Sequence, residues 1–449
     1  MRITLDTKNM PNKWYNIIPD LDFDIPPMMS TSGYPLSYHD LEPLAPSSII
    51  DQELEREKRD ISIPKEVQDF YSEWRPTPLY RAERLEKSLE TPARVFYKYE
   101  GYSPSGSHEM NTAVAQAHYA VHEESVKRVV TATGTGEWGA SLAIACNYFG
   151  IQCQIYMVRS SYEEKPYGRY VMEILGAEVI PSPSEKTRTG KKILAQNPDS
   201  PGSLSIALSE AFEEASIRDD AKFSWGTVMN HVLLHQTIVG LEARIQMRQA
   251  GANPDFIICA VGGGSGLGGL AFPFYQERER GMRIIAVETA AAPSLSKGRY
   301  AYDYGDTEGL FPLLKMYTLG HSFVPPGIRA GGMRYHGISP LVSALYREKQ
   351  IEAKTYPQRQ AFEAAITFAR TEGLIPSPEA SYAVATVIDE ALACKQSKER
   401  KNILFLLDGN SNLDLTVFKD FVEGAVEDQP FPEETAQAAL EELPEITPP

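Results

Sequence analysis

The stretch DFIICAVGGGSGLGGLAFPF, residues 255–274, decides the fold class. It opens with a continuous apolar run of strand length, which predicts a strand buried on both faces. Glycines then crowd a turn, and an apolar helix start follows at Gly269–Phe274. Strand, glycine turn and helix together form the repeating unit of a parallel sheet covered by helices. Successive glycines let a backbone approach a ligand closely, and a helix N-terminus offers free N–H groups and the positive end of a dipole. Gly262, Gly263, Gly264 and Ser265 are therefore a candidate phosphate cradle. A tight connection with no ligand explains the same residues equally well.

Outward from this stretch the alternation continues. Strand-length apolar runs at 94–100, 128–133, 152–158, 177–181, 283–288 and 402–408 are separated by helix-length segments at 111–126, 138–150, 163–176, 230–249, 358–371 and 379–395. So many strands exceed one compact sheet, so the pattern predicts two parallel-sheet α/β domains. Residues 106–225 are expected to form the smaller one, and 76–105 with 226–420 the larger. Residues 1–75, rich in Pro, Asp and Glu, read as an arm with a short helix around Pro64–Trp74, and 421–449 as an acidic tail.

The chain has 449 residues, 42% hydrophobic and 23% charged, with a formal charge of −16. That balance repels phosphate backbones and disfavours nucleic-acid binding. No apolar run is long enough for a membrane helix, and no secretory signal is visible, so a cytoplasmic location is expected. Cys146, Cys153, Cys259 and Cys394 are scattered in or near apolar runs, which suits reduced thiols better than a disulfide frame or a metal site.

Three further segments carry polar chemistry. TATGTGEWGAS, residues 131–141, is a second glycine turn whose Gly134 and Gly136 could expose N–H groups to an anion, although Glu137 would oppose one. In SPSGSHEMNTA, residues 103–113, Ser105 or Ser107 can cap a helix starting near His108, with Glu109 favoured by its dipole. FLLDGNSNLDL, residues 405–415, places Asp408 at the carboxyl end of a strand, the edge at which open α/β sheets bind ligands. Each of these is also explained by ordinary capping or turn formation.

Taken together, WYNIIPDLDF, EWRPTPLYRAERLEKSLETPARVFYKYEG, GSHEMNTAVAQAHYA, YMVRSSYEEKPYGRYVMEILGAEV, NHVLLHQTIVGLEA and LLKMYTLGHSFVPPGIRAGGMRYHG resemble the tryptophan synthase β-chain, in its second, longer type. The resemblance runs from about Trp14 to Leu415. It implies a fold-type-II pyridoxal-phosphate (PLP) architecture with the cofactor between two α/β domains. It also implies a homodimer as the expected assembly, with an α-subunit the less expected partner.

The family holds PLP through the lysine of a GSHK motif, which here reads Gly106-Ser107-His108-Glu109. By the same resemblance Ala132 stands for a catalytic glutamate, Glu137 for a glutamine, Asp408 for the serine at the pyridine nitrogen, and Gly266 for a phosphate-contacting asparagine. Arg329 stands where a histidine is expected. Without the amine no Schiff base can form at Glu109, so no cofactor is expected, with non-covalent PLP as the alternative. Glu109, Glu137 and Asp408, assisted by His108, are the expected catalytic groups, acting by carboxylate acid–base chemistry in dehydration, isomerisation or cyclisation of a small biosynthetic metabolite. Asn111 and Arg329 join the glycine turns as expected binding residues, Arg329 as the one cation for a substrate carboxylate or else a surface ion pair. PLP-dependent β-replacement on serine and indole, and a non-catalytic partner of an active subunit, are the competing readings.

Overall fold

In the computed structural model, which describes residues 1–164 and 166–446, two separate parallel sheets carry the alternation. The larger runs in the order Arg2–Ile3, Leu79–Arg81, Arg94–Tyr99, Asn402–Leu407, Phe256–Ala260, Arg283–Thr289, Glu352–Tyr356. From Arg94–Tyr99 onward its neighbours are parallel, and only the first two strands pair antiparallel at one edge. The smaller sheet runs Glu178–Ser182, Gln152–Val158, Arg128–Thr133, Ala221–Phe223, all parallel. This is the α/β architecture that the alternation dictates.

The strand Phe256–Ala260 is buried on both faces because its pleat feeds two cores. Ile257 and Cys259 pack in one with Leu267 of the following helix. Phe256 and Ile258 pack in the other with Tyr382 and Val384 of the long helix Ala380–Ser397. Alternate side chains of a strand point to opposite faces, so a run without polar residues is what two covered faces require.

Two elements differ from the sequence reading for local reasons. The pattern over 230–249 is two helices, Asn230–Gln236 and Ile238–Gln249. Thr237 divides them: its hydroxyl donates to the Leu234 carbonyl at 2.6 Å and accepts the Tyr15 N–H at 2.9 Å. The antiparallel pair Arg299–Tyr304 and Leu313–Thr318, absent from the sequence reading, mixes charged and aromatic residues that conceal its period.

A fully buried ionic network ties the start of the body to the larger sheet. Arg75 bridges Glu100 at 2.8 Å and Glu242 at 2.9 Å, and Lys98 reaches Glu242 at 2.6 Å. Two cations and two anions balance, as buried charge must. No helix among the described residues is long and apolar enough to cross a membrane.

Candidate active site

The parallel pairing of Arg94–Tyr99 with Asn402–Leu407 brings the two loops that follow these strands side by side. The His108 N–H donates to the Asp408 carbonyl at 2.8 Å, and the Asn410 N–H to the Gly106 carbonyl at 2.9 Å. The turns after Arg128–Thr133 and Phe256–Ala260 reach the same place. Together they line a cavity of about 150 Å³.

Glu109, Glu137 and Asp408 all line this cavity, as do His108, Gly134, Gly262, Gly263, Gly264 and Ser265. Ala132 and Gly266 do so too. Three expected residues, Asn111, Arg329 and Gly136, are not on the lining. Asn111 is absorbed by the ionic network, accepting from Arg75 at 2.6 Å and donating to Gln236 at 2.9 Å. Arg329 pairs with Asp420 at 3.0 Å on the surface. Its role as the cavity's cation is therefore corrected to the surface ion pair that was its alternative. Gly136 is not on the lining; it caps the helix Glu137–Phe149 with φ of 108° and packs against the backbone of Gly168.

Glu379 is a cavity residue that the sequence reading missed. It precedes the helix Ala380–Ser397, and its Oε1 accepts the Gly332 N–H at 2.8 Å. The signal was a Pro-rich approach, Pro376-Ser377-Pro378-Glu379, to a helix start. Three of the four cavity carboxyls, Glu109, Glu137 and Glu379, thus sit at the starts of helices of 12, 13 and 18 residues. The positive dipole ends offset part of the cost of bringing acids together.

That cost remains visible in the acidities. Burial, then repulsion from Glu379 and Asp408, pushes Glu109 up to about 8. Burial, then Asp414 and Asp408, pushes Glu379 up to about 7. Burial, then repulsion from Glu379, Asp414, Glu109 and Asp408, raises Glu137 well above the usual range. Asp408 is raised by burial, against the opposing effects of His108 and of a 2.5 Å hydrogen bond from Ser377. Burial lowers His108, so its imidazole is neutral near pH 7; its Nε2 lies 3.1 Å from Ser265 Oγ. Among the described residues no lysine or arginine lines the cavity. Glu109 Oε2 and Thr227 Oγ1 are buried there without hydrogen-bond partners.

The glycines divide by cause. A Cβ on Gly262 would sit 1.9 Å from the Gly332 carbonyl oxygen, and one on Gly263 2.1 Å from Thr227 Oγ1, so protein packing alone demands glycine at both. Gly264 has φ of 101°, which only glycine adopts freely. A Cβ on Gly134 would meet nothing within 4 Å, so its small size leaves open space in the cavity.

The family "Pyridoxal-phosphate dependent enzyme" matches residues 71–409. The chain is 50% identical over 427 residues to "Tryptophan synthase beta chain 2" of Methanosarcina acetivorans, covering 94% of this chain and 96% of that one. It is 51% identical over 434 residues to the protein of the same name from Aquifex aeolicus, covering 95% and 100%. Among solved structures, the fold is similar to a fungal L-serine ammonia-lyase from Rhizomucor miehei, with a TM-score of 0.58 at 17% identity, covering 78% and 98%.

These likenesses point to PLP use and overturn the expectation, drawn from Glu109 alone, that no cofactor is used. The glycine turn and Ser265 fit a phosphate group, with the cavity open above Gly134. Covalent attachment does not fit, because no described amine lines the cavity. Lys98, the nearest lysine in sequence before Glu109, is fully buried outside the lining and held by Glu242, the Thr77 carbonyl and Gln246.

Proposed function

The chain belongs to the tryptophan synthase β-chain family, and from that premise we propose that it is a β-like enzyme whose proton transfers are made by carboxyl groups. In this reading Glu109 stands where the family's lysine stands. The supporting observation is that Glu109, Glu137, Glu379 and Asp408 line one cavity that no described cation enters. The reactions that suit such a set are dehydration, isomerisation or cyclisation of a small biosynthetic metabolite bound beside the family's cofactor.

The residues divide the work by acidity. Glu109, pushed up to about 8, is protonated at neutral pH and serves as the proton donor. Glu379, pushed up to about 7, is partly ionised and serves as the proton acceptor, with its Oε1 holding the Gly332 N–H. Two acids in one cavity with different partners supply a donor and an acceptor at the same pH. Ser377 fixes the orientation of Asp408, and neutral His108 holds Ser265 at the glycine turn. A pyridoxal-type group bound there supplies an electron-withdrawing ring; the proton movements belong to the carboxyls.

The test compares wild type with Glu109→Gln on a mixed pool of small biosynthetic metabolites, following by mass spectrometry what is consumed and formed. Wild type is expected to convert at least one compound, and Glu109→Gln to lose about 100-fold or more of that rate. The competing reading, PLP-dependent β-replacement, draws on the name of the half-identical relatives. Tryptophan formed from serine and indole by wild type, and unaffected by Glu109→Gln, would establish that reading and sink the carboxylate one.

A further inference from the structure

Glu109 Oε2 is buried, faces the cavity and has no partner in the protein. Around it stand Glu137, Glu379 and Asp408, with no described lysine or arginine on the lining. A buried carboxyl without a partner is either kept neutral or completed by a ligand. One such oxygen with three further carboxyls around the same space specifies what completes it: a cation that carries several N–H donors.

We infer that the cavity takes its pyridoxal-type group in the amine form, a phosphate monoester bearing an ammonium, with Glu109 Oε2 accepting from that ammonium. The inference rests on the reading of the Gly262–Ser265 turn as the phosphate seat. The aldehyde form differs by a neutral carbonyl where the amine form carries an ammonium, so it offers Glu109 Oε2 no donor. The amine form brings the positive charge that the lining lacks. Thr227, another lining residue whose buried polar atom has no partner, has a hydroxyl left to meet a polar atom of the same ligand. The residue that rules out a covalent link thereby becomes the residue that selects the ligand.

The experiment is calorimetric titration of the purified full chain with four probes. These are pyridoxamine 5′-phosphate, pyridoxal 5′-phosphate, pyridoxine 5′-phosphate and unphosphorylated pyridoxamine. Pyridoxine 5′-phosphate keeps the ring and phosphate but carries a neutral hydroxyl in place of the amine. Pyridoxamine 5′-phosphate is expected to bind at least tenfold more tightly than pyridoxine 5′-phosphate and the aldehyde. In Glu109→Gln that preference is expected to shrink below threefold, while pyridoxine 5′-phosphate still binds. Glu379→Gln, which leaves Glu109 in place, is expected to reduce the preference by less. Equal binding of the amine and hydroxyl forms, or a preference untouched in Glu109→Gln, overturns the inference while leaving the phosphate seat standing. Unphosphorylated pyridoxamine binding as tightly as its phosphate supports the amine site and overturns the phosphate seat. If no probe binds, both fall.

Discussion

Ser377 donates its hydroxyl hydrogen to Asp408 across 2.5 Å, linking the approach to the helix Ala380–Ser397 with the carboxyl end of the strand Asn402–Leu407. That bond favours the ionised form of Asp408, while burial opposes it. In Ser377→Ala the bond is lost and burial is less opposed, so the Asp408 acidity weakens further. The acidic limb of the pH–rate profile, or of ligand affinity against pH, is expected to move to higher pH. An unmoved limb would mean that Asp408 is not among the groups it reports.

Glu109 exerts a measurable pull on stability as well. Its folded pKa of about 8 lies above the ordinary carboxyl value of 4.5, so the folded state holds a proton that the unfolded state releases. Such a group costs stability as pH rises from about 4.5 to about 8, and the cost is then fully present. Glu109→Gln removes it. The variant is expected to match wild type at pH 5 and to be more stable at pH 8.5 by about 1–3 kcal/mol, a discount for the solvent that reaches the cavity. Calorimetric melting at the two pH values measures it, with the sign of the difference as the decisive observation.

Much of this was legible in the sequence, and the reasons differ by residue. Glu109, Glu137, Asp408 and the Gly262–Ser265 turn each sit directly beside a glycine turn or a strand end, and parallel sheets gather those points along one edge. Their meeting therefore followed from local pattern. Glu379 lies before a helix that reads as a simple structural element, and only the tertiary fold brings it against the Gly332 N–H. Arg329 was misplaced for the reverse reason. Its neighbours Gly331 and Gly332 do line the cavity, but its own side chain finds Asp420, about ninety residues on, and no local pattern announces that pairing.

Arg329→Ala accordingly provides a control. The side chains of Arg329 and Asp420 are 39% and 26% exposed, and an exposed pair contributes about 0–1 kcal/mol. The variant is expected to melt within about 1 °C of wild type and to keep its ligand affinity. A tenfold loss of affinity would place the guanidinium at the site after all.

Lys98→Met is expected to behave very differently. Lys98 shares the buried network with Arg75, Glu100 and Glu242, and its Nζ also donates to the Thr77 carbonyl at 2.6 Å. Removing one partner leaves Glu242 and a backbone acceptor buried with fewer donors, at a cost of about 3–5 kcal/mol. Chemical denaturation should show that loss as a lower midpoint. A Glu109→Lys background should not rescue it, because Lys98 is outside the cavity.

Gly134→Ala separates what the protein needs from what a ligand needs. Gly264→Ala would confound the two, since φ of 101° and a Cβ 3.0 Å from Val342 Cγ2 strain the fold whether or not anything binds. At Gly134 the backbone is not in the left-handed region, and a Cβ meets no protein atom within 4 Å. A methyl group there should leave the melting temperature within about 2 °C of wild type, as expected when no strain or cavity is created. It would nonetheless occupy space beside Glu137 on the cavity wall. If a ligand approaches the Gly134 backbone, its affinity falls by tenfold or more while the fold is untouched. Unchanged affinity would show that the bound molecule stays clear of this turn, and would confine it to the side of the cavity formed by Glu109, Asp408 and Ser265.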